Sequence, residues 1–428
     1  MGQFRPMNED QGKRFPVRVW LISFLGWTFD FYDLMLISFL LIPIGKDLGL
    51  SVSEEALILG VALGASGIGG ILFGYLSDRY GRKQVMTWTI ALYSLGTALS
   101  AFAIGPWSLL LFRLLTGLGV GGEWAVGHAL VQEASPRHMR GRAAAFLQAG
   151  EPLGVALAAI MGFLVTPLIG WRWVFVLSSA TAVLAVVARR HLPESTLWER
   201  QKEERLTPAE TLRWIARNGF LPPLLKGWLL GSFKLGTYWT CYVWLPRFLQ
   251  HQFNQPVGRS AMWILTAQSG QLVGMLLFGF IADRHGRRQA YTAYSLLTAC
   301  AIYGLAFHWE WLLPRTGLFW AVMFTMGVGS GCTAGFGALL AELFPTQVRN
   351  FAMGTAYNCA RGVQFFAPMV VSMFVAQHGV RGGLAVPLVL ALATAAWVWA
   401  LPETRRRDLA RIGEPVRSPQ AERASLGG

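Results

Sequence analysis

The sequence predicts an all-α integral membrane protein: twelve transmembrane helices in two pseudo-symmetric six-helix halves. Three observations lead there. Only 14% of the 428 residues are charged and 54% are AVILMFWYC, against about 25% charge in a soluble domain. Apolar runs of about 20 residues recur along the whole chain, each long enough to cross a hydrocarbon core of about 30 Å as a helix. Segments that return at a fixed offset divide the chain in two. Only helices and closed barrels satisfy their backbone in lipid, and the period-two alternation of a barrel is absent.

Spans 1 to 6 are expected at residues 17–42, 55–76, 85–104, 107–131, 142–167 and 171–189. Span 1 is too long for a cleavable signal peptide, carries Asp30 and Asp33, and lacks a small-residue cleavage site, so it is expected to be retained. Spans 2 and 3 are joined by a short charged connection, Asp78-Arg79-Tyr80-Gly81-Arg82-Lys83. Span 4 holds Arg113, Glu123 and the closely spaced Gly117, Gly119, Gly121 and Gly122. Without the Lys-Ser/Thr of a phosphate loop, these glycines suit close helix packing. His128, on the same span, reads as a packing or hydrogen-bonding residue. Residues 190–222 are the longest polar stretch, dense in both charge signs from Glu199 to Arg205, and read as a linker with an interfacial helix and a solvated charged face. Spans 7 to 12 are expected at 224–249, 260–281, 289–308, 315–341, 352–375 and 383–401. The tail after Arg407 carries Arg, Ser, Pro and Gly and is expected to be disordered. The chain thus divides into a first half, 1–189, a linker, 190–222, a second half, 223–402, and a tail, 403–428.

Charge placement gives the orientation. Of 37 Lys and Arg, six fall in the odd-numbered connections (Lys46, Arg172, Arg247, Arg259, Arg315, Arg381), and most of the rest lie in the amino-terminal tail, the even-numbered connections and the carboxy-terminal tail. Both termini are therefore expected in the cytoplasm. The net charge of +14 is then a topology signal; a nucleic-acid partner would need a basic folded domain, which the chain lacks. Cys241, Cys300, Cys332 and Cys359 lie inside spans without paired spacing, so neither a disulfide framework nor a metal site is expected.

The repeat is specific. Glu133, Pro136 and Arg140 after span 4 return 209 residues later as Glu342, Pro345 and Arg349 after span 10. Gly170, Arg172, Pro193 and Glu194 match Gly379, Arg381, Pro402 and Glu403 at the same offset. Gly74, Asp78, Arg79, Gly81 and Arg82 return at 205 as Gly279, Asp283, Arg284, Gly286 and Arg287. Two copies six spans apart share one orientation, which predicts halves related by an axis along the membrane normal with a site between them.

Gly-x-x-x-Asp-Arg-x-Gly-Arg-Lys/Arg, once after span 2 and once after span 8, resembles the loop signature of the major facilitator superfamily. Arg113-Leu-Leu-Thr-Gly117-Leu-Gly119-Val-Gly121-Gly122-Glu123 resembles the span 4 motif of its proton-coupled members, and Pro193-Glu194-Ser195 the end of its first half. The resemblance covers about residues 15–405. A finer pattern, Asp30-Phe-Tyr-Asp33, Glu123-Trp124, Glu342-Leu-Phe-Pro345 and Tyr357-Asn358-Cys-Ala-Arg361, is similar to the sialate and metabolite:proton symporter branches, which carry organic acids. Ala360 and Asn350 stand where those branches often have Gly.

Ionisable groups at membrane depth are costly and normally face a cavity or a partner. Seven stand within the spans: Asp30, Asp33, Arg113, Glu123, Glu151, Lys234 and Arg361. All four acids belong to the first half and two of the three bases, Lys234 and Arg361, to the second. A carboxyl without a base is a natural proton carrier, while Lys or Arg can hold a substrate carboxylate. The candidate proton-coupling set is Asp30, Asp33, Arg113, Glu123 and Glu151; the candidate binding set is Lys234, Gln268, Gln271, Tyr357, Asn358 and Arg361. Gly74, Asp78, Arg79, Gly81 and Arg82, with Asp283, Arg284, Gly286 and Arg287, are expected to latch conformations without touching substrate.

These readings predict a secondary active transporter that couples a small organic anion to protons by alternating access, with a sugar or organic-cation carrier as the alternative. Gly150-Glu151-Pro152-Leu153-Gly154 only partly resembles an antiporter motif, which makes antiport the less favoured mode. The chain carries no catalytic grouping or nucleotide fingerprint, so no enzyme, cofactor or metal is expected. Its partners are the organic anion, the proton and the bilayer. It is expected as a multi-pass monomer of the plasma membrane, the inner membrane in a bacterium.

Overall fold

A computed structural model describes residues 17–179, 194–200, 206–241, 257–312, 314–409 and 412. The end of span 6, the end of span 7, part of the charged run in the linker and most of the tail lie outside the described residues. Among the described residues eight helices are long and apolar enough to cross a bilayer, or nine when a bent pair is taken as one span. With its large side chains turned outward around the bundle, for example Ile68, Phe280 and Val389 at 60–63% exposure, the chain has the surface a lipid solvent demands.

Spans 1 to 4 are the helices Val17–Leu48, Val52–Tyr80, Arg82–Ser100 and Pro106–Ala134. Span 1 runs six residues past its expected end, because hydrogen bonding continues beyond the point where apolarity stops and Pro43 is accommodated inside the helix. Span 2 starts on a capping box in which Glu54 accepts from the Ser51 N–H at 2.8 Å and the Ser51 hydroxyl accepts from the Glu54 N–H at 3.3 Å. Span 5 is Arg140–Gln148 continued by Gly150–Ile160 and a π-helical turn, Met161–Val165. In the linker, Pro208–Arg217 is capped by Thr207 and Glu210 and buries Thr211 and Ile215, with Trp214 stacked on Phe220.

In the second copy, span 7 is Leu221–Trp239, span 8 Val257–His285 and span 9 Arg287–Phe307. Span 10, Thr316–Ser330, tightens into a 3-10 turn at Gly331–Gly335 and resumes as Phe336–Ala341. Span 11 bends by 42° between Arg349–Phe366 and Met369–Gly379. The bend falls at Pro368, which has no N–H to give the helix ladder.

The copies meet through two matched helix pairs, span 2 on span 11 and span 5 on span 8. Within the copies, span 4 packs on spans 2 and 3, and span 10 on spans 8 and 9. The repeated glycines of the loop signature lie where the copies touch. A Cβ on Gly74 would stand 2.6 Å from the Asn350 carbonyl oxygen of span 11, and one on Gly279 would stand 2.8 Å from the Arg142 Cα of span 5. Gly81 and Gly286, with φ of 109° and 108°, turn the chain in left-handed space into spans 3 and 9.

Overpacking such a contact costs about 1–3 kcal/mol, enough to shift a two-state population by about tenfold. Gly279→Val should therefore reduce disulfide formation between cysteines placed at Ser77 and Asn350, whose side chains touch at 2.9 Å across the other helix pair. Unchanged cross-linking would mean that the two contacts open independently.

Candidate functional site

A polar cluster occupies the junction of the copies, assembled from spans 1, 4, 5, 8 and 11. Trp124 and Tyr357 stack across it, ring centroids 3.6 Å apart and planes 8° apart. The Trp124 indole N–H donates to Gln148 Oε1 at 3.1 Å, and Gln148 Nε2 donates to Glu151 Oε2 at 2.6 Å. Glu151 Oε1 accepts from Gln271 Nε2 at 3.2 Å, a bond from span 8 to span 5. Asn358 ties span 11 to span 4 by donating to the Gly121 carbonyl at 2.8 Å.

Arg361 lies one turn beyond Asn358. It is 1% exposed, and among the described residues its two terminal nitrogens have no hydrogen-bond partner. Its guanidinium carbon sits 5.0 Å from the Tyr357 ring centre and 5.6 Å from that of Trp27, both within cation–π range. Glu151 is within electrostatic reach but uses both oxygens on glutamine amides. Gln268, Gln271 and Asn358 each leave a buried carbonyl oxygen unbonded among the described residues. Buried polar atoms are normally paired. Unpaired donors and acceptors on spans 8 and 11, which meet at Glu151 and Arg361, are what a site for a polar ligand requires. Lys234 is also buried, on span 7.

The remaining intramembrane acids form separate groups. Asp33 accepts from the Thr97 hydroxyl, and Thr97 accepts from Arg113 Nη2 at 3.2 Å. Arg113 also donates to Ser100 Oγ at 2.8 Å and covers the Phe175 ring at 5.0 Å. Spans 1, 3 and 4 are thus joined by an Asp–Thr–Arg chain. Asp30 is fully buried one turn earlier. Glu123 accepts from Thr89 Oγ1 at 3.0 Å, on the span 3 side of span 4.

At one end of the bundle the two loop signatures make matched contacts. Asp78 caps span 11, accepting from the N–H groups of Asn350 at 3.2 Å and Phe351 at 2.9 Å. Asp283 caps span 5, accepting from Gly141 at 2.8 Å and Arg142 at 3.0 Å. A carboxylate at a helix N-terminus meets both free donors and the positive end of the helix dipole. Arg82 is 3.3 Å from both Asp78 and Glu133, and Glu133 meets Arg349 of the other copy at 2.5 Å. Arg287 pairs with Asp283 at 2.8 Å and Glu342 at 3.0 Å. Glu194 and Glu403 cap spans 3 and 9 through the N–H groups of Arg82 and Lys83, and of Arg287 and Arg288. Burial would raise the Glu403 pKa, but backbone N–H bonds from Arg287, Arg288, Thr404 and Arg405 outweigh it and hold the carboxyl below its ordinary range. Arg79 and Arg284 stay outside this network: Arg79 turns to the Tyr75 hydroxyl at 3.0 Å and Arg284 is exposed.

Sequence reasoning did not select Trp27, Trp124 or Gln148 for the site. Gln148 was the most accessible to it, since three residues before Glu151 it shares that helix face.

The sequence profile of the Major Facilitator Superfamily matches residues 21–266 and 257–423. A Cupriavidus pinatubonensis protein named a probable 4-methylmuconolactone transporter is 33% identical, covering 92% of this chain and 93% of its own. A sialic acid transporter of Escherichia coli is 30% identical, over 83% of this chain and 87% of its own. Among solved structures, a proton:xylose symporter superposes with a TM-score of 0.74 at 19% identity, covering 92% of this chain and 97% of that one.

A latch acts on populations of conformers. Asp78→Asn and Asp283→Asn should each slow exchange in proteoliposomes and lower the fraction of molecules closed at this end, while intrinsic ligand affinity changes little. A large loss of affinity with an unchanged conformational balance would place the ligand at the caps instead.

Proposed function

The chain belongs to the major facilitator superfamily and is a membrane transporter, and from that premise we propose that its cargo is a small organic anion taken up together with protons. One observation carries the reading: the buried Arg361 guanidinium, with both terminal nitrogens unbonded among the described residues, between the faces of Trp27 and Tyr357 at the junction of the copies. Glu151 lies within electrostatic reach of this cation but spends both oxygens on glutamine amides, which leaves the guanidinium donors open to a ligand. A carboxylate entering the junction would take both nitrogens in the planar fork that guanidinium presents. Gln268, Gln271, Tyr357 and Asn358 would then orient the rest of the ligand, with Lys234 as a second cation. The names of the two relatives, transporters of 4-methylmuconolactone and of sialic acid, agree with an organic-acid cargo.

In this reading the Asp33–Thr97–Arg113 chain, with Asp30 a turn away, is the coupling device. A proton on Asp33 removes the charge that Arg113 and Thr97 stabilise, loosening span 1 from spans 3 and 4. Glu123 and Glu151 complete the acidic set. The capped end is the cytoplasmic gate of a monomer in the bacterial inner membrane, with both termini on that side, halves at 1–189 and 223–402, a linker at 190–222 and a tail at 403–428. Rocking of the halves about the junction would expose Arg361 to each side in turn.

Two tests follow. Arg361→Lys keeps the charge and loses the fork, and should weaken binding of 4-methylmuconolactone or sialic acid, measured by thermal shift or calorimetry, by about 1–3 kcal/mol; Arg361→Ala should cost more. Normal affinity in Arg361→Ala, or neutral sugars binding as well as acids, would end the organic-anion reading. For coupling, uptake into vesicles should rise with an inward proton gradient and collapse with a protonophore, and Asp30→Asn or Asp33→Asn should abolish accumulation while sparing exchange. Accumulation that follows sodium and ignores protons would refute it.

A further inference from the structure

His128 is a buried titratable group that the reading above leaves unused. It is 1% exposed on span 4, and its Nε2 lies 3.1 Å from Gln148 Oε1. The tautomer follows from the neighbours. Gln148 Oε1 already accepts from the Trp124 N–H, a pure donor, while the amide nitrogen donates to Glu151. The oxygen therefore faces His128, and Nε2 must carry the proton. Nδ1 is then a bare acceptor, and among the described residues it has no hydrogen-bond partner. It occupies the space that a Cβ on Gly337 of span 10 would need, so it is pressed against the second copy. The ring also borders a closely packed region with Ser23, Trp27, Glu123 and Leu147, where Ser23 Oγ and Trp27 Nε1 are unbonded among the described residues.

We propose that His128 is a proton-binding site at the junction of the copies, whose protonation opens the capped end and, through Gln148 and Glu151, bears on the anion site at Arg361. The last clause rests on the anion reading above. The sign follows from the geometry. With the end closed, a proton on Nδ1 would be a second N–H directed at the Gly337 backbone, with no acceptor bonded there. The closed conformer therefore holds fewer protons than any conformer in which span 10 has moved off the ring, and falling pH lowers its population. The charged and titratable groups facing the ring are Glu123 from its own helix, Glu151 of span 5 through Gln148, and Tyr357 and Arg361 of span 11 beyond the Trp124 stack. Span 1 contributes the uncharged Ser23 and Trp27, and span 10 contributes Gly337. Because Glu151 is bonded to both copies, a charge arriving on His128 polarises the Gln148 amide and alters the field at Arg361 without touching the ligand.

Spin labels at the exposed Tyr80 and Arg284, one on each copy, report the closed fraction without ligand. The ratio of open to closed molecules in the otherwise native protein should rise about tenfold or more from about pH 8 to about pH 5. His128→Gln, which can keep a donor toward Gln148 but cannot be protonated, should respond less than about twofold. Gly337→Ala should displace the ring and raise the open fraction at every pH, which tests the contact even if His128→Gln fails to fold. A flat response in the native protein, a native response in His128→Gln, or an unchanged closed fraction in Gly337→Ala would each overturn the proposal. In the ligand arm, affinity for 4-methylmuconolactone should change with pH across this range in the native protein and much less in His128→Gln. A pH-independent native affinity with an intact label response would remove the link to Arg361. Arg361→Ala should lose binding at all pH values but keep the label response; binding retained there would sink the anion reading and leave the His128 switch standing.

Discussion

The geometry of this protein hangs on a carboxylate of one copy capping the first turn of a helix in the other, made twice. Asp78 on the N–H groups of Asn350 and Phe351, and Asp283 on those of Gly141 and Arg142, fix span 11 on span 2 and span 5 on span 8. Everything around these contacts follows from bringing a short acid to a backbone. The helices must come close, so Gly74 and Gly279 carry no Cβ at the crossing. The acid must be placed at the very end of its helix, so the chain turns at once through left-handed glycines at 81 and 286. The buried charge needs a counter-ion, which Arg82 and Arg287 supply from four residues on. Each arginine then serves a second acid, Glu133 in the last turn of span 4 or Glu342 just after span 10.

That matched plan is broken in one place. Arg140 and Arg349 make parallel bonds, to the Gln132 and Arg407 carbonyls and to the Ala341 and Leu409 carbonyls, and Glu133 and Glu342 both take a hydroxyl, of Ser195 and of Thr404, but Arg349 also forms an ion pair with Glu133 of the first copy. Both sides are thus fastened to the segment that follows span 12, and one of them also by an ion pair between the copies. Ion pairs respond to charge and solvent, while carbonyl bonds respond to the path of the chain. The side that carries the ion pair therefore responds to charge as the other does not, even though the sequence repeats between them.

Much of this end was legible in the sequence because its requirements are backbone requirements. Glycine where no Cβ fits, an acid where N–H groups are free and an arginine one turn on leave a fixed spacing, and two copies at 205 residues made the pattern hard to misread. The spacing did not separate Arg82 from Arg79 or Arg287 from Arg284, since burial depends on which way the helix faces. The junction was less legible for the same reason at larger scale. Arg361, Asn358 and Gln271 announce themselves as polar groups at membrane depth, but Trp27, Trp124 and Gln148 are ordinary span residues until the rotation of five helices brings them together. The boundaries moved where hydrogen bonding outran apolarity, as in span 1, or where Pro368 broke a ladder that hydropathy reads as continuous.

The division of charge between the copies gains its meaning from this geometry. Within one copy, Asp33 and Arg113 are held in a fixed relation by Thr97, which a rigid-body motion of the halves does not stretch. Between copies, Glu151 and Arg361 would be separated by the proposed rocking of the halves, and in a low-dielectric junction the energy of such a pair changes steeply with separation. An acid and a base placed on opposite sides of the moving boundary convert motion into a change of field, whereas the same pair inside one half would not. Gln148 and Gln271 hold Glu151 from both sides, so the field at Arg361 depends on which of those bonds survive as the copies separate. A group that takes charge at the same boundary, as His128 is placed to do, therefore acts on the position of the halves and on the guanidinium together.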